Sequence, residues 1–171
     1  MADKIYNVLF LCTGNSARSI LGEAVMNKLG AGRFKAWSAG SQPKGEVHPM
    51  ALSVLSGMGY DTTGMYSKSW SEFSKPGSPE FDFIFTVCDS AAGETCPVWI
   101  GHPMTAHWGI EDPVAVEGVG QRDAFLQALR YLTNRISLFL TLPHASIDEM
   151  AMKQKLKEIG KAEGASSGAS A

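Results

Sequence analysis

Apolar runs and stretches of helical periodicity alternate along most of the chain. Ile5 to Leu11 is a short apolar run that predicts a strand, and Ser16 to Leu29 predicts the helix that follows it. Phe34 to Ser38 and Pro49 to Met58 repeat the pair, the second helix starting from the His48–Pro49 step. Tyr60 to Ser78 is polar and broken by Gly64, Pro76 and Gly77, which predicts a loop around one short helical turn. Phe81 to Val87 is aromatic and β-branched, a third strand, with Cys88 at its end. Ala91 to Met104 carries Gly93, Pro97, Gly101 and Pro103 and predicts an irregular, movable segment before a short strand around Thr105 to Trp108. Gln121 to Leu140 is a long, well-patterned helix stopped by Pro143, and Ser146 to Ile159 is a further amphipathic helix. Gly160 to Ala171 is a Gly/Ser/Ala tail with nothing to bury.

Strands that are apolar throughout and alternate with helices predict a single-domain α/β fold: a four-stranded parallel sheet with helices on both faces and an extra C-terminal helix. The domain is expected over residues 1–145, with 146–171 a helical extension ending in a flexible tail. Such sheets bind ligands at the carboxyl ends of their strands. Cys12, Cys88 and the Trp108 to Asp112 turn all fall at such ends, so topology brings three chemical groups to one rim.

Cys12 to Ser19, Cys-Thr-Gly-Asn-Ser-Ala-Arg-Ser, carries the most chemistry. Between the strand and the helix, Thr13, Gly14, Asn15, Ser16 and Ala17 offer no bulk, so their backbone N–H groups fold around something small, and an oxyanion fits that hollow. The helix N-terminus and Arg18 are expected to lower the Cys12 thiol pKa and keep it a thiolate at neutral pH, with Ser19 bonded to the sulfur. Asp112 precedes Pro113, which alone reads as a turn. At a strand end beside Cys12, a carboxylic acid can instead protonate an oxygen leaving under thiol attack. Cys88 at a strand end has an ordinary reading as a buried core thiol. Cys96 sits in a Gly- and Pro-punctuated loop eight positions on, a span that a mobile loop can close to disulfide distance.

Composition narrows the class. The chain has 171 residues, 44 % apolar and 19 % charged, enough for an ordinary soluble core without staples or metal. A net charge of −2 with scattered Lys and Arg gives no footprint for nucleic acid or for an anionic membrane. The first apolar run lacks a basic leader and is too short to span a bilayer, and three cysteines suit a reducing compartment, so a cytoplasmic location is expected. No dinucleotide, haem or iron–sulfur motif occurs, so no cofactor is expected and electrons would come from thiols.

Three segments carry a resemblance. Leu9 to Ser19 resembles the active-site loop of the low-molecular-weight tyrosine phosphatases, and its wording is similar to their arsenate-reductase branch. His107-Trp108-Gly109-Ile110-Glu111-Asp112-Pro113 resembles the segment of those reductases that carries the general acid, which maps onto Asp112. Tyrosine phosphatases of the family usually place tyrosines after that Asp-Pro; Val114 and Ala115 stand here, which argues against an aryl phosphate. Cys88-Asp89 and Cys96-Pro97 resemble the family's redox segment. Spanning roughly Lys4 to Leu140, the resemblance implies the phosphatase-like fold and thiol-dependent reduction of arsenate to arsenite. Cys12 would attack arsenic within the Thr13 to Arg18 amides, Asp112 would supply the proton, and Cys88 and Cys96 would relay the oxidation to thioredoxin or to glutathione with glutaredoxin. Phosphate and sulfate would compete for the site.

Two alternatives stay open: a phosphatase working through a Cys12 phosphoenzyme, which needs neither other cysteine, and a non-catalytic oxyanion-binding or redox-sensing protein. A zinc site from Cys88, Cys96, His102 and His107 is disfavoured because the spacing fits no usual ligand pattern. His48 reads as a helix-start residue and His144 as exposed. Some reductases of the branch bind potassium through an Asn, a Glu, a Ser and an Asp; Asn15, Glu23 and Ser38 match the first three, but Lys68 stands for the acid, so no potassium site is expected.

Overall fold

The computed structural model describes residues 4–88 and 102–166. Within them the strands are β1 (Tyr6–Leu11), β2 (Phe34–Ala39), β3 (Phe83–Thr86) and β4 (Met104–His107). The helices are α1 (Arg18–Leu29), α2 (Pro49–Gly57), α3 (Gln121–Leu140) and α4 (Glu149–Gly160), with short 3-10 turns at Trp70–Phe73, Pro113–Ala115 and Gly118–Gly120. The sheet runs β2-β1-β3-β4 and every pairing is parallel. Leu11 pairs with Ala39 and Thr86, and Thr86 with His107, so all four strands end level. Cys12, Gly40, Cys88 and Trp108 therefore leave the sheet along one rim.

Side chains alternate across a strand, and here the two faces bury different clusters. Val8 and Phe10 of β1, with Phe83 and Phe85 of β3, join Ile20 and Val25 of α1, Val54 and Leu55 of α2, Phe125 and Ile136 of α3 and Leu156 of α4 in the main core. Phe85 stacks on Trp108 with ring centroids 3.7 Å apart, and Phe139 meets both rings edge-on. Fully burying side chains of this size contributes about 1.5–3 kcal/mol each. Leu9 and Leu11 face the other way, against Ile84, Phe73, Phe81, Trp37 and Trp70. Helices were expected on both faces. Among the described residues all four α-helices lie in the first cluster, and the second face is closed by the 3-10 turn at Trp70–Phe73 and its aromatic neighbours.

Two expectations are corrected at the C-terminal end. Residues 160–166 of the tail do bury surface: Ser166 is buried, its N–H donates to the Gly109 carbonyl at 3.0 Å, and Ala165 pairs with Ile110 as an antiparallel bridge. Backbone bonds hold it where apolar side chains are missing. His144 is not exposed either. Its ring lies against Tyr6, Phe34, Phe83 and Phe139, and its Nε2–H donates to the Phe139 carbonyl at 2.8 Å.

Candidate active site

Cys12 is the first residue past β1, its N–H still bonded to the Ala39 carbonyl at 3.3 Å, and α1 begins at Arg18. The intervening loop turns its carbonyls outward: Thr13 O accepts from Gln42 N, Gly14 O from Lys44 N and Ser16 O from His48 N, at 3.0, 3.0 and 2.9 Å. In a planar trans peptide the next N–H points opposite to the carbonyl. Gly14, Asn15 and Ala17 thus present N–H groups away from residues 42–48, as an anion cradle requires. Gly40 permits the close approach, since a Cβ there would collide with the Thr13 carbonyl and lie 2.7 Å from that of Cys12.

Asn15 takes a left-handed backbone, φ 43°, which Asn tolerates better than most residues. It is fully buried and bonded at both ends of its amide: Oδ1 accepts from Lys68 N and Nδ2 donates to Ser19 Oγ, both at 2.8 Å. Ser19 Oγ lies 2.9 Å from Cys12 Sγ. Because Asn15 supplies one proton to that oxygen, the Ser19 hydroxyl proton is free to point at sulfur and stabilise a thiolate.

The expected ionisation of Cys12 is corrected. Burial comes first and pushes the thiol up; the Ser19 hydroxyl pulls it down, the nearby Cys88 sulfur pushes it up again, and Arg18 pulls down more weakly. With 5 % of its surface exposed, Cys12 rests above the ordinary thiol range in the free site. That balance depends on the closed fold and cannot be read from neighbours in sequence.

Arg18 and Asp112 face each other across the opening. Arg18 Nη1 donates to the Ile110 carbonyl at 3.0 Å and Nη2 lies 3.7 Å from Asp112 Oδ2. Asp112 Oδ1 caps the Pro113–Ala115 turn by accepting from Val114 N at 3.0 Å, which leaves Oδ2 toward the opening. Cys12, Thr13, Gly14, Ser16, Ala17, Arg18 and Asp112 line a cavity of about 270 Å³ together with Gln42, Lys44 and Val114. Sequence reasoning missed Gln42 and Lys44 as rim residues, although their place just after β2 was a usable signal. Larger hollows of about 360 and 570 Å³ lie elsewhere, and among the described residues no cysteine lines either.

Cys88 is buried against the loop, its sulfur accepting from Thr13 N at 3.3 Å and lying 3.7 Å from Thr13 Oγ1. Thr13 N–H is thus engaged by sulfur, while Thr13 itself lines the cavity. Cys96 lies outside the described residues. Lys68 has its ammonium 3.9 Å from Glu23 Oε1, 2.8 Å from the Tyr66 carbonyl and 4.3 Å from the Tyr66 ring centre. Ser38 Oγ donates to the same Glu23 oxygen at 2.7 Å. Burial holds Glu23 above and Lys68 below their ordinary ranges, while their mutual attraction opposes both shifts. Among the described residues no three His, Cys, Asp or Glu side chains gather as a metal site, and no helix is long and apolar enough to cross a membrane.

A buried thiol in a strand–loop–helix turn, with an arginine at the opening and an acid beside it, is an arrangement that can carry thiol chemistry on a tetrahedral oxyanion. The chain belongs to the low molecular weight phosphotyrosine protein phosphatase family, whose model matches residues 7–157. It is 31 % identical over 141 residues to an arsenate reductase of Oceanobacillus iheyensis, covering 81 % of this chain and 96 % of that one. A glutaredoxin arsenate reductase of Synechocystis is 29 % identical over 62 % of this chain and 77 % of its own. Among solved structures, an arsenate reductase in the phosphate-binding state matches with TM-score 0.60 and 27 % identity, over 77 % of this chain and 97 % of that one.

Proposed function

We propose that the protein reduces arsenate to arsenite with thiols as the electron source. The observation that favours reduction over simple phosphate-ester hydrolysis is the second sulfur: Cys88 is bonded to the N–H of Thr13, the residue next to Cys12 in the chain. Hydrolysis has no use for it. Val114, where an aryl phosphate would call for an aromatic wall, agrees.

The chemistry starts from a protonated Cys12. Arsenate enters as a dianion and is itself a base; the thiol proton and one arsenate OH leave together as water, with Asp112 moving the proton, and a sulfur–arsenic bond replaces the oxygen–arsenic bond. Loop N–H groups and Arg18 hold the remaining oxygens as charge builds on them. The Cys88 sulfur then attacks Cys12 sulfur: an S–S bond forms, the S–As bond breaks, its electron pair leaves on arsenite, and the departing arsenite takes the Cys88 proton. Cys96 attacks Cys88 next, freeing Cys12 and leaving a Cys88–Cys96 disulfide for a thiol reductant, thioredoxin or glutathione with glutaredoxin, to open. Lys68 supplies the positive charge beside Glu23 and Asn15, so turnover needs no potassium. A cytoplasmic setting, where such reductants are maintained, suits this cycle. Arsenite formation assayed with each donor in turn tests the reading: arsenite that depends on a thiol donor supports it, and phosphate-ester hydrolysis without arsenite formation refutes it.

A further inference from the structure

Arg135, near the end of α3, exposes none of its surface, and among the described residues it forms no ion pair with a carboxylate. Its donors go to main-chain carbonyls instead: Nη1 to Tyr131 at 3.2 Å and Glu163 at 3.1 Å, Nη2 to Ala162 at 3.1 Å. Nε is buried without a partner. A buried cation lacking a counter-charge is costly, so its retention here calls for a purpose. Ala162 and Glu163 begin the short segment that continues to Ser166. Gly164 lies flat on the Tyr131 ring with φ 91°, where a Cβ would collide with the ring, so the segment hugs α3 closely. Ala165 then pairs with Ile110, and Ser166 N–H reaches the Gly109 carbonyl.

Gly109 and Ile110 link β4 to Asp112. Ile110 N–H is tied to the Val87 carbonyl at 3.2 Å, while its own carbonyl receives Arg18 Nη1. The strand end that aims Arg18 is therefore gripped by Val87 and by residues 165–166, and these are anchored through Arg135. We infer that Arg135 and residues 162–166 form a clasp that fixes the Gly109–Ile110 strand end and, through the Ile110 carbonyl, the direction of the Arg18 guanidinium. Arg135 is thus a positioning residue for oxyanion binding, although it lies outside the cavity. The inference rests on the reading of Arg18 as the anion holder.

Calorimetric titration of inorganic phosphate tests it, on the full chain and on Arg135→Gln, Ser166→Pro, Arg18→Ala and the Arg18→Ala/Arg135→Gln pair. Ser166→Pro removes the N–H at the end of the clasp, together with the serine hydroxyl, and leaves Arg135 and its carbonyl partners unchanged in sequence, so it remains informative where Arg135→Gln impairs folding. Each clasp variant should bind phosphate about tenfold more weakly than the full chain, and Arg135→Gln should cost nothing further once Arg18 is alanine, because residues acting through one group are not additive. Folded clasp variants that bind phosphate as tightly as the full chain overturn the inference. So does a loss of equal size in the Arg18→Ala background, which would mean that the clasp acts independently of Arg18. Undiminished binding by Arg18→Ala itself would instead overturn the anion-site reading, and the clasp with it.

Discussion

At the level of single residues, the site rests on divided labour around one sulfur. Cys12→Ser and Arg18→Ala should each abolish turnover, but the serine variant keeps the cradle and should bind phosphate nearly as well as the native chain, whereas Arg18→Ala should not. Phosphate titration of both separates nucleophile from anion holder. Asp112→Asn should slow the first chemical step by about 10²–10⁴, the usual loss for one positioned acid, with binding little changed; single-turnover kinetics measure it. Since burial raises the Cys12 pKa, its alkylation by iodoacetamide should be slow at pH 7 and reach half its plateau rate at a pH above about 8.5, the midpoint of an ordinary cysteine. Ser19→Ala, lacking the hydroxyl that favours the thiolate, should be slower still at any given pH. That Cys12, Ser19 and Arg18 come together was legible from the strand–loop–helix pattern, and Asp112 was placed beside them by its strand end, its role as acid coming from the resemblance. The thiol's ionisation was not, because it is set first by burial in the closed fold and also by the Cys88 sulfur, which is distant in sequence.

Secondary-structure elements follow the same rule. The reading of α3 matched Gln121–Leu140 at both ends, since twenty residues of helical periodicity leave little ambiguity, and β2 differed by one residue. Segments without an apolar pattern were harder. Residues 161–166 carry almost nothing to bury, and main-chain bonds to Arg135 and Gly109 give no signature in composition. The loop after α2 offers a sharper test. Lys68 N–H holds the Asn15 amide and its ammonium faces Glu23, so the positive charge next to the anion loop is covalently built in. Exchanging potassium for sodium at constant ionic strength should therefore change neither rate nor melting temperature, and a potassium-specific gain would show that Lys68 does not play this part.

Seen as a whole molecule, the sheet brings Cys12, Cys88 and the Asp112 turn to one rim because all four strands run parallel and end level, and that convergence was readable from strand order alone. Packing at the far end was not: His144 looked exposed after Pro143, yet it closes an aromatic cluster formed by β1, β2, β3 and α3. Burial lowers its pKa, so the folded chain prefers the neutral ring. The resulting stability is fully present above the unfolded value of about 6.5 and is lost as pH falls through the lower folded value. Melting temperature should thus drop between pH 7.5 and 5, and His144→Leu should flatten that part of the drop. The internal relay makes the strictest demand, since it requires oxidation to travel from Cys12 through Cys88 to a cysteine beyond the described residues. Mass mapping of the protein after a single arsenate turnover, with glutathione present, reads this directly: a Cys88–Cys96 disulfide with Cys12 free is the predicted product, and a Cys12–glutathione mixed disulfide with Cys88 and Cys96 both reduced would contradict it.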